Sequence, residues 1–285
     1  MLANLILSGG GVRSYAHLGV YKYCFENKIK FGEIVAVSGG SLVAPFIYLN
    51  KDPDKTINLF KKAKLHEKLF PFYFIPDRFE FLFIEPSTYK LGKWVEEQFS
   101  LGELSEIKNS KRLHIMATKI PMRHNLAEYT DMLLITDLKN AISASCAISG
   151  IFKEHKVGSD FYIDGTHWNN VPIFFNFAYK SIPLITVSLS YCGTREQKGS
   201  KISKIMRGVE IASCARFIED VERWNIEKRG ELVVINPVTP LIHPLDFNLK
   251  ESEIDEVIKL GYESAREVLS VRALHAKSLH VPTAD

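Results

Sequence analysis

The segment Glu33-Ile34-Val35-Ala36-Val37-Ser38-Gly39-Gly40-Ser41 decides how this chain is read. Glu33 to Val37 is a mostly apolar run of strand length, as expected of a parallel strand buried on both faces. Gly39 to about Tyr48 then reads as a helix, so Ser38 falls on the strand-to-helix turn. A nucleophilic serine on such an elbow needs small neighbours, because the flanking backbone passes close to adjacent elements. Gly39 and Gly40 meet that need, while Ala36 stands at the first glycine of the usual GxSxG pattern and adds only a methyl. Ser41 lies inside the helix, where its hydroxyl is expected to bond back to a carbonyl one turn earlier. Ser38 is therefore the candidate nucleophile, although a serine before a helix is also an ordinary N-cap.

Toward the N-terminus, Leu2 to Leu7 reads as a first strand and Val12 to Glu26 as the helix after it, joined by Gly9-Gly10-Gly11. Three glycines leave backbone N–H groups unencumbered, and the helix start adds a positive dipole end, so Gly9, Gly10 and Gly11 are candidates for an oxyanion hole. A dinucleotide fingerprint fits poorly: Ser14 stands at the third glycine, and the second strand ends in Val37-Ser38 where an acidic ribose ligand would sit. Arg13 has two open readings, a charge that braces the loop and a contact to substrate phosphate.

Toward the C-terminus, Tyr162-Ile163-Asp164-Gly165 ends another apolar run with a carboxylate. An Asp-Gly pair is commonly a plain turn; here it would also aim Asp164 out of the sheet edge. Further strands are expected over Arg112 to Thr118, Phe161 to Ile163, Pro183 to Leu189 and Glu231 to Asn236. Helices are expected over Leu91 to Phe99, Ile202 to Lys228 and Glu251 to Leu269. The alternation predicts an α/β fold, a three-layer α/β/α arrangement with a mostly parallel central sheet.

Composition bounds the function. With 285 residues, 46% of them hydrophobic, the chain fits one domain. A formal charge of +3 is too small to argue for nucleic-acid binding. No apolar run approaches the roughly 18 residues that span a bilayer, and Met1 to Leu7 lacks a basic leader region, which points to a protein made in the cytosol, with nonclassical secretion left open; the small positive charge would not oppose peripheral docking on an anionic membrane. Cys24, Cys146, Cys192 and Cys214 lack metal-site spacing and are expected to be four reduced thiols. Phe70 to Phe83 holds seven aromatic residues just after Lys61, Lys62, Lys64 and Lys68; residues 60–90 read either as an interfacial cap or as packing of a covering subdomain.

In order, Gly9-Gly10-Gly11-Val12-Arg13-Ser14, Ala36-Val37-Ser38-Gly39-Gly40 and Asp164-Gly165-Thr166 resemble the GGGxRG, GxSxG and DGG or DGA motifs of the patatin-like phospholipases. Ala144-Ser145-Cys146-Ala147-Ile148-Ser149-Gly150-Ile151-Phe152 is similar to that family's ASSAxPGxF segment, and Asn169-Asn170-Val171-Pro172 to its NNVP. The resemblance covers roughly residues 2–185, with departures at Ser14, Ala36 and Thr166. It implies a Ser38–Asp164 catalytic dyad, an oxyanion hole at the glycine loop, no metal or cofactor, and a glycerophospholipid or other fatty-acyl ester as substrate at a membrane or micelle surface. Two alternatives stand beside it: a Ser-His-Asp α/β-hydrolase whose late histidine is His243 or His275, and a noncatalytic lipid- or partner-binding module.

Overall fold

The computed structural model describes residues 1–65, 86–121, 127–190, 201–237, 242–246 and 248–278, the last with 201–206 and 271–278 as backbone alone. The aromatic segment Phe70 to Phe83 and Cys192 therefore lie outside the described residues. In chain order the strands are β1 (Leu2–Leu7), β2 (Lys30–Val37), β3 (Leu113–Lys119), β4 (Glu128–Asp131), β5 (His155–Val157), β6 (Asp160–Asp164), β7 (Leu184–Val187) and β8 (Leu232–Ile235). The α-helices are α1 (Tyr15–Glu26), α2 (Gly39–Tyr48), α3 (Pro53–Lys62), α4 (Tyr89–Glu96), α5 (Leu101–Asn109), α6 (Leu138–Ser145), α7 (Lys201–Ile226) and α8 (Glu251–Ser278).

The strands form one sheet in the order β5-β6-β3-β2-β1-β7-β8, with β4 also on β3. The centre is parallel, from β3 through β2, β1 and β7 to β8. The β3–β4, β3–β6 and β5–β6 pairs are antiparallel. Side chains alternate across the sheet with period two. Ala3, Leu5, Leu7, Ile34, Ala36, Ile115 and Ile185 face a core shared with α1, α2, α3, α4, α6 and α8. Ile6, Val35, Val37, Met116 and Leu184 face the opposite core, closed by Val171, Ile173, Phe177 and by Phe217 and Trp224 of α7. Both faces are covered, which is why the central strands are mostly apolar and why the sheet sits between two layers.

Two glycines set the closest helix contact. A Cβ on Gly19 of α1 would collide with the Ile258 carbonyl of α8, and one on Gly261 of α8 with the Ala16 carbonyl of α1. The two helices thus meet backbone to backbone, and Tyr23 and Tyr262 seal the crossing edge to face, with ring centroids 5.5 Å apart.

The expectation of four reduced thiols is corrected. Cys24 and Cys146 are free and buried, but Cys214 on α7 is disulfide-bonded, its partner sulfur lying outside the described residues. Sequence spacing says nothing about which sulfurs a fold brings within the short reach a disulfide requires. No helix among the described residues is long and apolar enough to cross a membrane.

Candidate functional site

Ser38 closes β2 and opens α2, with φ 50° and ψ −125°. Such a backbone costs a non-glycine residue about 1–3 kcal/mol and persists only where neighbours over-determine it. They do so here. Ser38 N–H donates to Ser145 Oγ at 2.8 Å, and Ser145 Oγ donates to the Met116 carbonyl at 2.7 Å. Ser41 N–H and Oγ both donate to the Ser38 carbonyl, as expected of a hydroxyl one turn into a helix. A Cβ on Gly40 would lie 2.5 Å from the Leu7 carbonyl, and one on Gly39 would collide with Ser14 Oγ. Ala36 is fully buried among the apolar residues shared with α1 and α2, so its extra methyl is accommodated.

Although Ser38 occupies the N-cap position, its hydroxyl makes no capping bond. Ser38 Oγ instead donates to Asp164 Oδ2 at 2.6 Å, with no residue between them. Asp164 is fully buried at the end of β6. Its N–H donates to the Ala147 carbonyl at 2.9 Å, and its carbonyl accepts from Thr118 Oγ1 at 3.2 Å. Its second carboxylate oxygen accepts from Thr166 N–H at 2.8 Å. Asp164 thus serves the turn with one carboxylate oxygen and meets the Ser38 hydroxyl with the other. Gly165 is required by close approach, since a Cβ there would lie 2.5 Å from the Met116 carbonyl. Burial pushes the Asp164 carboxyl above the usual carboxylate range, against the pull of hydrogen bonds from Ser38 and Thr166.

The glycine loop faces the same hydroxyl. Gly10 and Gly11 line a small cavity of about 60 Å³ together with Ser38, Asp164 and Asn170, and neither glycine's N–H donates to another described backbone group. Gly9 differs from the expectation: its N–H donates to Asn170 Oδ1 at 2.7 Å, which leaves Gly10 and Gly11 as the available donors. Arg13 braces the loop. It is buried, with Nε donating to the Ile242 carbonyl at 2.8 Å and Nη1 paired with Glu210 of α7, which Arg207 also meets at 3.0 Å. Arg13 also borders the small cavity that holds Ser38 and Asp164.

On the other side of Ser38 lies a chamber of about 320 Å³, lined by Val12, Tyr15, Leu42, Phe60, Leu91 and Ile254 among others. Ser38, Gly11 and Ile148 border both cavities. Lys61 stands at the chamber wall, held by Glu251 and Asp255, both at 2.9 Å. His243 borders neither cavity and accepts from Leu245 N–H at 3.2 Å in its own loop. The His275 side chain lies outside the described residues. Sequence reasoning gave no role to Ser145, Thr166, Asn170 or Glu210; the segment around Ser145, the departure at Thr166 and the Asn169-Asn170 pair were marked, and Glu210 left no trace.

A family model described as patatin-like phospholipase matches residues 5–175. The chain is 25% identical over 284 residues to the uncharacterized protein YqhO of Bacillus subtilis, covering 92% of this chain and 96% of that protein. It is 30% identical over 269 residues to the probable lipid hydrolase 463L of Invertebrate iridescent virus 6, covering 89% and 83%. Among solved structures, VipD from Legionella pneumophila aligns with a TM-score of 0.55 at 13% identity, over 94% of this chain and 67% of that one. The type III effector ExoU aligns at 0.50 and 12%, over 95% and 53%. The two solved structures share the fold, and the family match over the segment that carries the glycine loop, the elbow and the buried aspartate places this chain in the patatin-like phospholipase family.

Proposed function

We propose that this protein is a lipid acyl hydrolase of the phospholipase A type, with Ser38 as nucleophile and Asp164 as its base. The observation that carries the reading is the strained Ser38 backbone with Oγ 2.6 Å from a buried carboxylate, at the mouth of an apolar chamber. Similarity to a probable lipid hydrolase supports it.

Asp164 takes the Ser38 hydroxyl proton as Oγ attacks the ester carbonyl. Negative charge develops on the carbonyl oxygen, where Gly10 and Gly11 N–H donate. Collapse of the intermediate breaks the ester C–O bond, and the departing alcohol takes the proton from Asp164. Water then attacks the acyl-serine, Asp164 takes its proton, and the fatty acid leaves as Oγ is reprotonated. A carboxylate whose proton affinity is raised by burial suits this exchange better than an exposed one. The chamber receives the acyl chain, and the substrate is drawn from a lipid surface, for which the sequence offers the aromatic stretch Phe70 to Phe83.

The test is fatty-acid release from a panel of defined phospholipids and neutral lipids, in the presence of a chelator, beside the Ser38→Ala protein. Release by the wild type and none by the variant is expected. Undiminished release by a folded Ser38→Ala protein rules out the nucleophile.

A further inference from the structure

Gly9 and Gly10 share one peptide unit, and in a planar trans peptide the carbonyl and the N–H point in opposite directions. The Gly9 carbonyl accepts from Ser8 Oγ at 3.0 Å and from Asn170 Nδ2 at 3.4 Å. Holding that oxygen turns the Gly10 N–H the other way, on a residue that borders the small cavity beside Ser38. The preceding peptide unit is held as well. Its carbonyl, that of Ser8, receives His17 Nε2 at 2.8 Å, and its N–H, that of Gly9, donates to Asn170 Oδ1 at 2.7 Å. Burial pushes His17 down to about 4, so its ring is neutral and its one N–H goes to that carbonyl.

Asn170 thus grips both sides of Gly9 with one carboxamide, which supplies an acceptor and a donor at that spacing whatever the pH. It is itself fixed: Nδ2 also donates to Ser190 Oγ at 3.1 Å, and Thr166 Oγ1 lies 3.5 Å from Oδ1. The fit leaves no slack, since a Cβ on Gly9 would lie 2.7 Å from Thr166 Oγ1 and 2.8 Å from Ser38 Cβ.

We infer that Asn170 is a positioning residue that aims the Gly10 N–H at the developing oxyanion and ties the glycine loop to the Asp164 loop. The inference rests on the reading of Ser38 as nucleophile. Asn170→Leu removes both halves of the grip while keeping the same branched heavy-atom skeleton. Asn170→Asp, assayed at a pH that ionises it, keeps the acceptor for Gly9 N–H and sets a second oxygen against the Gly9 carbonyl.

The experiment measures kcat and KM on a soluble short-chain ester for wild type and both variants. It also measures affinity for a long-chain trifluoromethyl ketone, which forms an oxyanion on Ser38, and for a fatty acid, which does not. Each variant is expected to lose about ten- to a hundredfold in kcat, with KM within about twofold. Ketone affinity should fall in parallel while fatty-acid affinity holds, a split that general loosening of the fold would not produce. A folded Asn170→Asp protein with wild-type kcat and ketone affinity overturns the inference, as does a loss confined to KM; this variant decides alone if Asn170→Leu does not fold. A wild type that neither hydrolyses esters nor labels at Ser38 with a fluorophosphonate overturns the nucleophile itself, whereas an active wild type with unaffected variants overturns only the role of Asn170.

Discussion

Ser38 Oγ and Asp164 Oδ2 lie 2.6 Å apart although 126 residues separate them in the chain. Under the proposed mechanism, removal of either partner disables the same proton transfer. We expect Ser38→Ala to lower kcat by at least about a thousandfold and Asp164→Asn by at least about a hundredfold. Circular dichroism should show both proteins folded. Retention of more than a tenth of wild-type turnover by Asp164→Asn would show that another group takes the proton.

The raised proton affinity of Asp164 has a visible signature in the pH profile. On the proposed mechanism the carboxylate works only when deprotonated, so kcat/KM should fall on acidification with an apparent pKa above the usual carboxylate range. Folding runs the other way. A group whose folded-state pKa is raised favours the folded state as pH falls, so this contribution to stability grows while activity declines. An acid limb at the ordinary aspartate value would remove burial as the tuning influence.

Chain-length preference should follow the apolar chamber. Ile254 supplies part of its wall from α8, and Ile254→Trp should lower turnover of long-chain esters about tenfold while an acetyl ester is little changed. The check is kcat/KM across a series of acyl lengths on one leaving group. A uniform loss across the series would place the acyl chain elsewhere.

His114 offers a separate handle on stability. Nδ1 lies 2.7 Å from Asp131 Oδ2 and Nε2 3.3 Å from Glu33 Oε2, with the Phe175 ring against it. Burial opposes protonation of this ring, but the two carboxylates outweigh it and the pKa is raised. The stabilisation it confers is present below the unfolded histidine value of 6.5 and is lost as pH rises through the folded-state value. The difference in melting temperature between wild type and His114→Gln should therefore be larger at about pH 6 than at about pH 9. A difference that grows with pH would reverse the assignment.

The central strands were legible in the sequence because they are buried on both faces and read as mostly apolar runs. Leu2 to Leu7 and the helix from Gly39 to Tyr48 were readable to the residue. Three helices that open on caps were passed over: Asp52 capping Lys55 N–H before Pro53, the Ser100–Glu103 capping box, and Asp137 capping Asn140 N–H. The short strands β4 and β5 owe their form to pairing with β3 and β6. At the site, motif order marked Ser38, Asp164 and the glycine loop. The use of Gly9 N–H by Asn170, 161 residues away, and of Arg13 by Glu210 depends on contacts no local pattern carries.

The family match ends at residue 175, yet several supports of the site come from beyond it. β7 flanks β1 on the side away from β2, the Pro244 carbonyl accepts Val12 N–H at 2.9 Å, and α8 rests its backbone on α1 at Gly19 and Gly261. A fragment cut to the matched footprint would turn β1 into a bare edge strand, exposing a row of unpaired amides and an apolar face to other chains. The smallest piece fit for expression is thus set by these later segments, and domain swaps within the family have to carry them along with the motifs.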